Sequence, residues 1–479
     1  MLFNSIDFAI FLPIVFILYW FVFKDLRKQN ILIVVASYTF YGWWDYRFLG
    51  LIFISTFVDF FVGKKLGEES QNNRKLLLWI SLLTNLGMLG FFKYFNFFAE
   101  NFSAAFTLFG AELKVSSLEI ILPVGISFYT FQTLSYTIDI YRRKLKPTSN
   151  FINFAAFVSF FPQLVAGPIE RASNLLPQFH RIRIFDYAKA SDGMRQILWG
   201  LFKKLVIADN CAMFANTIFN NTQYFTGSGL VFAAIFFTFQ IYCDFSGYSD
   251  IAIGTARLFG FDLKKNFAFP YFSRDIAEFW RRWHISLSTW FRDYLYIPLG
   301  GSRGTKAQTL RNIFIIFIVS GFWHGANWTF IIWGALNALY MVPLLVMKTH
   351  RSNLEVVAKG KLFPTIRELL AMVFTFSLTV FAWIFFRAKD IDHAFYFISR
   401  IFTDRLFTMQ HFETRGYVTM GLVAVFVMIE WIGREDEYAI EKIGLTWSRP
   451  LRWMFYTLIL LIMGLFVRTI ETPFIYFQF

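Results

Sequence analysis

Cysteine is scarce in this sequence, and the two that occur, Cys211 and Cys243, lie in apolar surroundings without metal-ligand spacing. They provide neither a disulfide framework nor a zinc site of the usual kind. Common catalytic signatures are missing as well: there is no Walker A phosphate loop, no dinucleotide-binding GxGxxG in a strand context, no HExxH and no GxSxG elbow. The sequence therefore contains none of the usual motifs of ATP-driven transporters or zinc-dependent hydrolases.

Charged residues are also few: they make up 16% of the chain, against 56% hydrophobic residues, and the mean hydropathy is +0.49. Apolar runs of about 20 residues, enough to cross a bilayer as a helix, recur throughout. The run 151–164 ends at prolines and a glycine that break helices, which predicts a broken or re-entrant element. We expect an all-α polytopic membrane protein with about 11 to 13 membrane helices and re-entrant elements in a single transmembrane domain, 1–479.

The formal net charge of +14 does not indicate a nucleic-acid partner, because most Lys and Arg residues occupy short connectors between apolar runs. This is the positive-inside distribution of membrane proteins. With the basic connectors 24–28, 64–75 and 142–146 in the cytoplasm, the first five spans alternate and the N-terminus lies outside. Segment 96–117 then lies outside too. The five predicted spans are 8–23, 31–44, 48–62, 76–92 and 120–140.

The segment EFWRRWHISLSTWFRDY, residues 278–294, carries the first candidate functional residue. Written as one helix, it collects its aromatic side chains and His284 on a single stripe and leaves Arg281 and Arg282 on other faces. Tryptophan and arginine at headgroup level are typical of an interfacial helix. A histidine inside that stripe is either functional or simply hydrogen-bonded, and the residues alone leave both alternatives open.

The second candidate is His324, in SGFWHGANW, 320–328. It lies within 35 residues, 313–347, that contain no Asp, Glu, Lys or Arg. This run is too long for one crossing and short for two, and glycines flank the histidine, so a broken helix is predicted. If the helix continues past His324, Ser320 and Asn327 lie beside the imidazole. An ionisable residue inside a membrane is a functional hypothesis by default, and the alternative is a neutral histidine satisfied by a serine or a carbonyl.

Two carboxylates occur in the apolar stretch QIYCDFSGYSDIAIG, 240–254. A helix places Asp244 and Asp250 on different faces, so they are not an obvious catalytic pair. They fit either an ion or proton path or hydrogen bonding between helices through Ser246 and Ser249, and we leave both interpretations open.

Five stretches of the sequence, spread over most of its length, resemble the membrane-bound O-acyltransferases. Within that family the resemblance is strongest to the bacterial branch that contains alginate O-acetylation subunits of the AlgI type, with PatA and DltB as further relatives. It implies a helical membrane fold around a transbilayer funnel, in which a cytoplasmic acyl donor meets an acceptor from the opposite side. The stretches are PQLVAGPIERASNLLPQF, DFSGYSDIAIG, PYFSRDIAEFWRRWHISLSTWFRDYLYIPLGGSR, SGFWHGANWTFIIWGALNALY and FIYFQF.

The resemblance also implies roles for the two histidines. His324 matches the family's principal catalytic histidine and becomes the expected general base. His284 matches the second motif position, where many eukaryotic relatives have an asparagine that cannot accept a proton, so its expected role is orientation or binding. Further candidates for substrate binding or orientation are Ser320, Asn327, Trp323, Trp283, Asp244, Arg281 and Arg282.

Substrates and partners follow from the same resemblance. We expect no bound cofactor and no metal, acetyl-CoA as the acyl donor substrate, and a polysaccharide such as alginate as the acceptor. An extracytoplasmic serine-hydrolase-like acetyltransferase is the expected protein partner, and the bacterial cytoplasmic (inner) membrane is the expected location. A rival interpretation is a transporter or flippase for a lipid-linked sugar or an ion, with Asp244, Asp250 and His324 along its path. A third is an export scaffold without activity of its own.

Overall fold

The computed structural model describes residues 1–68, 73–108, 118–165, 167–402, 407–468 and 474–475. Throughout these residues the regular secondary structure is helical, with short 3-10 and π-helical turns between or inside the α-helices. The α-helices are α1 (Ile6–Ile17), α2 (Leu26–Asp45), α3 (Leu49–Glu68), α4 (Arg74–Leu89), α5 (Phe95–Leu108), α6 (Ile126–Tyr141), α7 (Phe151–Ser159), α8 (Phe161–Leu164), α9 (Ala172–Leu175), α10 (Tyr187–Phe202), α11 (Asp209–Asn220), α12 (Gly227–Leu258), α13 (Ile276–Arg282), α14 (Ile285–Phe291), α15 (Lys306–His324), α16 (Trp328–Val346), α17 (Ile366–Arg387), α18 (Ile391–Ile401), α19 (Thr414–Ile432) and α20 (Arg449–Phe466).

Long apolar helices confirm the predicted all-α polytopic membrane class. Seven helical stretches in the described part of the chain are long and apolar enough to cross a membrane, and Ile6–Val22 and Phe151–Leu164 are shorter apolar segments. The total of 11 to 13 membrane elements stays a prediction, as does the transbilayer funnel. The seven stretches are Leu26–Glu68, Arg74–Thr107, Gly227–Leu258, Trp328–Val346, Ile366–Arg387, Thr414–Ile432 and Arg449–Phe466.

The chain forms two compact units, and the first comprises Met1–Ala190 with Thr255–Lys264. Its helices α3, α4 and α6 share a buried carboxylate, Asp59, which accepts hydrogen bonds from Asn85 Nδ2 at 2.8 Å, from Thr137 Oγ1 at 3.0 Å and from Ser81 Oγ. Polar bonds of this kind join helices where the surroundings offer no water. The single domain over 1–479 stays a prediction.

Two local predictions in the first unit have different outcomes. The run 151–164 is broken as expected, because Phe160 leaves the helical region between α7 and α8. The location of segment 96–117 outside the membrane stays a prediction; in the structure α5 follows α4 through the π-helix Gly90–Tyr94 as one helical stretch. The part of that segment from 109 to 117 lies outside the described residues.

The second unit, Ser191–Gly254 with Lys265–Phe479, contains both candidate histidines. Its helices α10 and α12 approach closely at glycines: a Cβ on Gly200 would lie 2.6 Å from the carbonyl oxygen of Gly247, and one on Gly254 would lie 2.4 Å from that of Gly193. Only residues without a side chain allow backbones this close in a membrane bundle. The pairing runs in opposite directions along the two helices, which are therefore antiparallel.

Helices α15 and α16 form an antiparallel hairpin. A Cβ on Gly321 would lie 2.2 Å from the carbonyl oxygen of Phe330, and one on Gly334 would lie 2.3 Å from that of Phe317. The connection is three residues, 325–327, so the predicted break at His324 is confirmed. The charge-free run 313–347 is short for two helices, but α15 begins seven residues before it, at Lys306, and this gives the first helix its full length. A capping box between Thr305 and Gln308 marks this start.

Candidate active site

His324 is the last residue of α15 and is only 3% exposed. The helix ends there because Gly325 is extended, and a Cβ on Gly325 would lie 2.1 Å from Cε2 of Phe330, so no other residue fits without movement. The imidazole meets Trp333 and Phe386 edge-on, with both ring centroids 5.2 Å away. The hairpin thus holds the histidine against aromatic rings from α16 and α17.

His284 lies at a second helix break. The predicted interfacial helix over 278–294 is wrong: α13 ends at Arg282, α14 starts at Ile285, and the aromatic stripe is buried inside the protein. His284 has φ 43° and ψ 54°, the left-handed conformation that residues with a Cβ seldom adopt. It is 1% exposed, and its ring meets Phe245 of α12 edge-on at 4.6 Å.

Trp323 connects the two histidines. Its ring centroid lies 4.9 Å from that of His324 and 6.2 Å from that of His284, so both imidazoles contact the same indole. Trp283 packs on Trp383 of α17 at 5.1 Å, and Trp383 stacks on Trp333 at 5.6 Å. The structure therefore brings together four of the predicted residues, His324, His284, Trp323 and Trp283, in an aromatic environment of low polarity.

Hydrogen bonding and burial determine the protonation state of His284. Its Nδ1 lies 3.2 Å from Oδ1 of the fully buried Asn266. Burial lowers the pKa of His284 to about 3, because the charged imidazolium would lose its hydration. The ring is therefore neutral near pH 7 and suited to hydrogen bonding rather than to carrying charge.

Asn327 and Ser320 lie on opposite sides of the helix break: Ser320 is in α15, and Asn327 precedes α16. The helix stops at His324, so the helical placement of Asn327 is wrong. Asn327 caps α16 instead: its Oδ1 accepts from Thr329 N at 3.0 Å and its Nδ2 donates to the carbonyl of Lys389 at 2.8 Å. Ser320 lies in the last full turn of α15 and is buried, one turn before the histidine.

The two predicted arginines are engaged by backbone carbonyls of the loop 350–355. Arg281 donates to the carbonyls of His350 and Asn353 at 2.9 and 2.7 Å. Arg282 donates to the carbonyl of Glu355 at 3.2 Å and forms an ion pair with the buried Glu278 at 2.8 Å. These bonds tie α13 to the loop, and a role for the arginines in binding donor phosphates stays a prediction.

Asp244 and Asp250 have separate lysine partners, as their different helix faces require. Lys204 Nζ lies 2.8 Å from Asp244 Oδ1, and Lys203 Nζ lies 2.6 Å from Asp250 Oδ2. Asp244 also accepts a hydrogen bond from the backbone N–H of Ile475 at 2.7 Å. The carboxylates thus hold α12 to its neighbours in the second unit, and the ion-path interpretation stays a prediction of the rival function.

A small polar cavity of about 20 Å³ lies beside this ion pair, with Lys203, Asp250, Glu430 and Asn266 among its lining residues. It has room for about one water molecule. Among the described residues, no group of three or more His, Cys, Asp or Glu side chains is arranged to hold a metal ion. The polar cavity and the aromatic site share Asn266, which faces both.

Comparison with known proteins identifies the family. The profile of the MBOAT, membrane-bound O-acyltransferase family, matches residues 47–386, a range that includes both histidines. The chain belongs to this family. It is 42% identical to the probable alginate O-acetylase AlgI of Azotobacter vinelandii over 84% of this chain and 78% of the relative. The corresponding AlgI protein of Pseudomonas putida is 38% identical over the whole of both chains. The peptidoglycan O-acetyltransferase of Helicobacter pylori is 37% identical over 82% of this chain and 78% of the relative.

Some residues around the histidines and aspartates of this O-acyltransferase were not predicted from the sequence. Sequence reasoning missed Asn266, which precedes His284 by 18 residues in a segment without a periodic pattern. It also missed Lys203 and Lys204, the partners of Asp250 and Asp244. Two adjacent lysines facing a helix with two aspartates form the charge complementarity that could have indicated the pairing.

Proposed function

We propose that this O-acyltransferase passes an acyl group, acetyl in the first instance, from a cytoplasmic thioester donor across the membrane toward an exported polysaccharide, with His324 as the general base. The observation that carries the proposal is the meeting of His324 and His284 on one indole, Trp323, inside the family-matched part of the chain. Acetyl-CoA is the proposed donor.

The chemistry is acyl transfer to an oxygen nucleophile. The acceptor oxygen attacks the thioester carbonyl and passes its proton to the neutral imidazole of His324; the carbon–oxygen bond forms, the carbon–sulfur bond breaks, and the departing thiolate takes the proton from the imidazolium. Histidine suits this step because its ordinary pKa lies near neutrality, and a positioned base contributes about 100- to 10,000-fold in rate. The aromatic rings around His324 keep water away from the thioester.

His284 has an orienting role in this proposal. As a buried, neutral ring it accepts or donates a hydrogen bond without storing a proton, which agrees with a position where an asparagine serves in related enzymes. Because both histidines contact Trp323, we propose that they face the same bound reactants. His324 then moves the proton, while His284 holds a reactant.

The names of the relatives support a cell-surface acceptor. Two of the proteins described above are named for alginate O-acetylation and one for peptidoglycan O-acetylation. Both polymers bear hydroxyl groups, so we propose an exported polysaccharide such as alginate as the final acceptor. We further propose that an extracytoplasmic serine-hydrolase-like partner completes the transfer, and that this chain resides in the bacterial cytoplasmic membrane.

The proposal is tested with the purified full-length protein in lipid nanodiscs, supplied with acetyl-CoA labelled in the acetyl group and a candidate acceptor or partner. His324→Ala should lower transfer by about 100- to 10,000-fold. His411→Ala is the matched control, since His411 is an exposed histidine, and it should transfer normally. Normal transfer by folded His324→Ala protein would refute the mechanism, and movement of a lipid-linked sugar or an ion without acyl release would favour the transporter.

A further inference from the structure

Asn266 makes several hydrogen bonds around His284. It is fully buried in a non-helical segment between α12 and α13. Its Oδ1 faces Nδ1 of His284 at 3.2 Å, the backbone N–H of Ser286 at 3.2 Å and the Ser286 hydroxyl at 2.9 Å. Its Nδ2 donates to Oγ of Ser249 on α12 at 3.2 Å. One amide thus links the histidine to two neighbouring segments.

The network determines which end of the amide faces the histidine. A backbone N–H can only donate, so the atom that meets the N–H of Ser286 must be the amide oxygen of Asn266. That oxygen can only accept. Nδ1 of His284 lies 3.2 Å from this oxygen and 3.5 Å from the Ser286 hydroxyl, and a hydrogen bond to the nearer oxygen requires Nδ1 to carry the proton of the neutral ring, which leaves the lone pair on Nε2.

The backbone of Asn266 fixes the same turn. Its carbonyl accepts from the N–H of Ile285 at 2.9 Å, directly after the left-handed His284. A left-handed backbone is unfavourable for a residue with a Cβ, so such a turn persists only where the surroundings hold it. Side chain and backbone of one residue therefore act on the tautomer and on the orientation of His284 together.

We infer that Asn266 is a positioning residue for His284: it fixes the Nδ1–H tautomer and presents Nε2 of the ring as a hydrogen-bond acceptor for the hydroxyl of the reactant. The tautomer follows from the geometry alone, while the contact with a reactant rests on the proposed function. Fixing the tautomer through the nitrogen that does not meet the ligand is the usual way in which proteins direct a histidine.

The first measurement is the tautomer itself, by nitrogen NMR of full-length protein labelled with ¹⁵N-histidine in lipid, with the His284 signals assigned by their loss in His284→Ala. The native protein should show a single Nδ1–H tautomer at His284. Asn266→Ala should give a mixture of both tautomers. A His284 that keeps one Nδ1–H tautomer in folded Asn266→Ala protein would overturn the inference.

The second measurement is the pH titration profile of the His284 nitrogen signals in Asn266→Asp, a nearly isosteric change. Phe245, Phe267 and Trp323 contact the His284 ring, and none of them is titratable. A carboxylate beside Nδ1 favours the imidazolium, so the pKa of His284 should rise and the titration of its ring nitrogens should move to higher pH by one unit or more. An unmoved profile in folded Asn266→Asp protein would count against the positioning role.

Asn312→Ala provides the matched control. Asn312 is an equally buried amide that donates to the carbonyls of Leu299 and Gly301, but it holds a turn without a histidine. It should lower thermal stability as Asn266→Ala does while leaving the His284 tautomer and the pH profile native. Equal effects of the two substitutions on tautomer and profile would reduce Asn266 to a structural amide. If His324→Ala protein still transfers, the proposed function fails, whereas the tautomer result stands independently.

Discussion

The Asn327 side chain joins two pieces of backbone immediately after His324. Its Oδ1 accepts from the N–H of Thr329 in the first turn of α16, and its Nδ2 donates to the carbonyl of Lys389, between α17 and α18. Asparagine is among the strongest N-cap residues, because its short side chain reaches a free N–H of the first turn. At the residue scale, Asn327 is therefore a candidate for stabilising the hairpin that carries His324.

Asn327→Ala should lower the free energy of unfolding by about 1 kcal/mol, the usual contribution of an N-cap, and leave acyl transfer by the folded fraction within a few-fold of native. Thermal unfolding in detergent and transfer from labelled acetyl-CoA measure the two effects. Asn327→Asp retains the cap and loses only the amide that binds Lys389, so it should recover most of the stability. A loss of transfer in Asn327→Asp as large as in His324→Ala would instead place this residue in the chemistry.

The two histidines were predictable from the sequence because each is an ionisable residue in an apolar or aromatic stretch. Their surroundings were less predictable. In the structure both histidines contact Trp323, and His284 lies in hydrogen-bond distance of Asn266, 18 positions earlier in the sequence. Such a long-range hydrogen bond leaves no periodic signal, since periodicity reports only residues within one helix.

The hairpin of α15 and α16 is the element that delivers His324 to the site. Its helices meet through the backbone at Gly321 and Gly334, so their separation is set by glycine rather than by side chains. The sequence indicated the break through Gly325, but it did not indicate the full length of α15, because the charges near Lys306 concealed where this helix begins. Charged residues in the first turns of a membrane helix are tolerated where they reach the polar headgroups.

Gly321→Ala should force α15 and α16 apart, because the new methyl group would lie 2.2 Å from the carbonyl oxygen of Phe330. Overpacking of this kind costs about 1 to 3 kcal/mol, and it would move the helix end that holds His324. We therefore expect a lower unfolding temperature together with a loss of transfer by the protein that remains folded, measured on the monodisperse fraction after gel filtration.

Gly421→Ala is the control for that substitution. Gly421 lies inside α19, and a Cβ there would meet no atom within 4 Å. Exchanging an exposed helical glycine for alanine stabilises a helix by up to about 1 kcal/mol, so this variant should keep native stability and transfer. Equal behaviour of the two variants would show that the glycine contact between α15 and α16 does not determine the position of His324.

At the scale of the whole molecule, composition and charge determined the class of the protein, and they did so because the bilayer restricts the solutions. Every backbone polar group in hydrocarbon must bond internally, so an apolar chain of this length becomes a set of helices. The two short helices on either side of Trp283 and His284 were not foreseen, since a buried break in a helix depends on tertiary partners, such as Glu278 with Arg274 and Arg282.

The direction of acyl transfer depends on the orientation of the whole chain, which the basic connectors predict and which cysteine labelling can test. The native Cys211 and Cys243 are buried, so they should react little with a membrane-impermeant maleimide. Glu119 and Lys144 are exposed and flank the predicted span 120–140, which places a cysteine at each on opposite sides of the membrane. In spheroplasts, Glu119→Cys should be labelled directly and Lys144→Cys only after the membrane is made permeable. The reverse pattern would put the basic connectors outside and reverse the proposed route from a cytoplasmic donor to an exported acceptor.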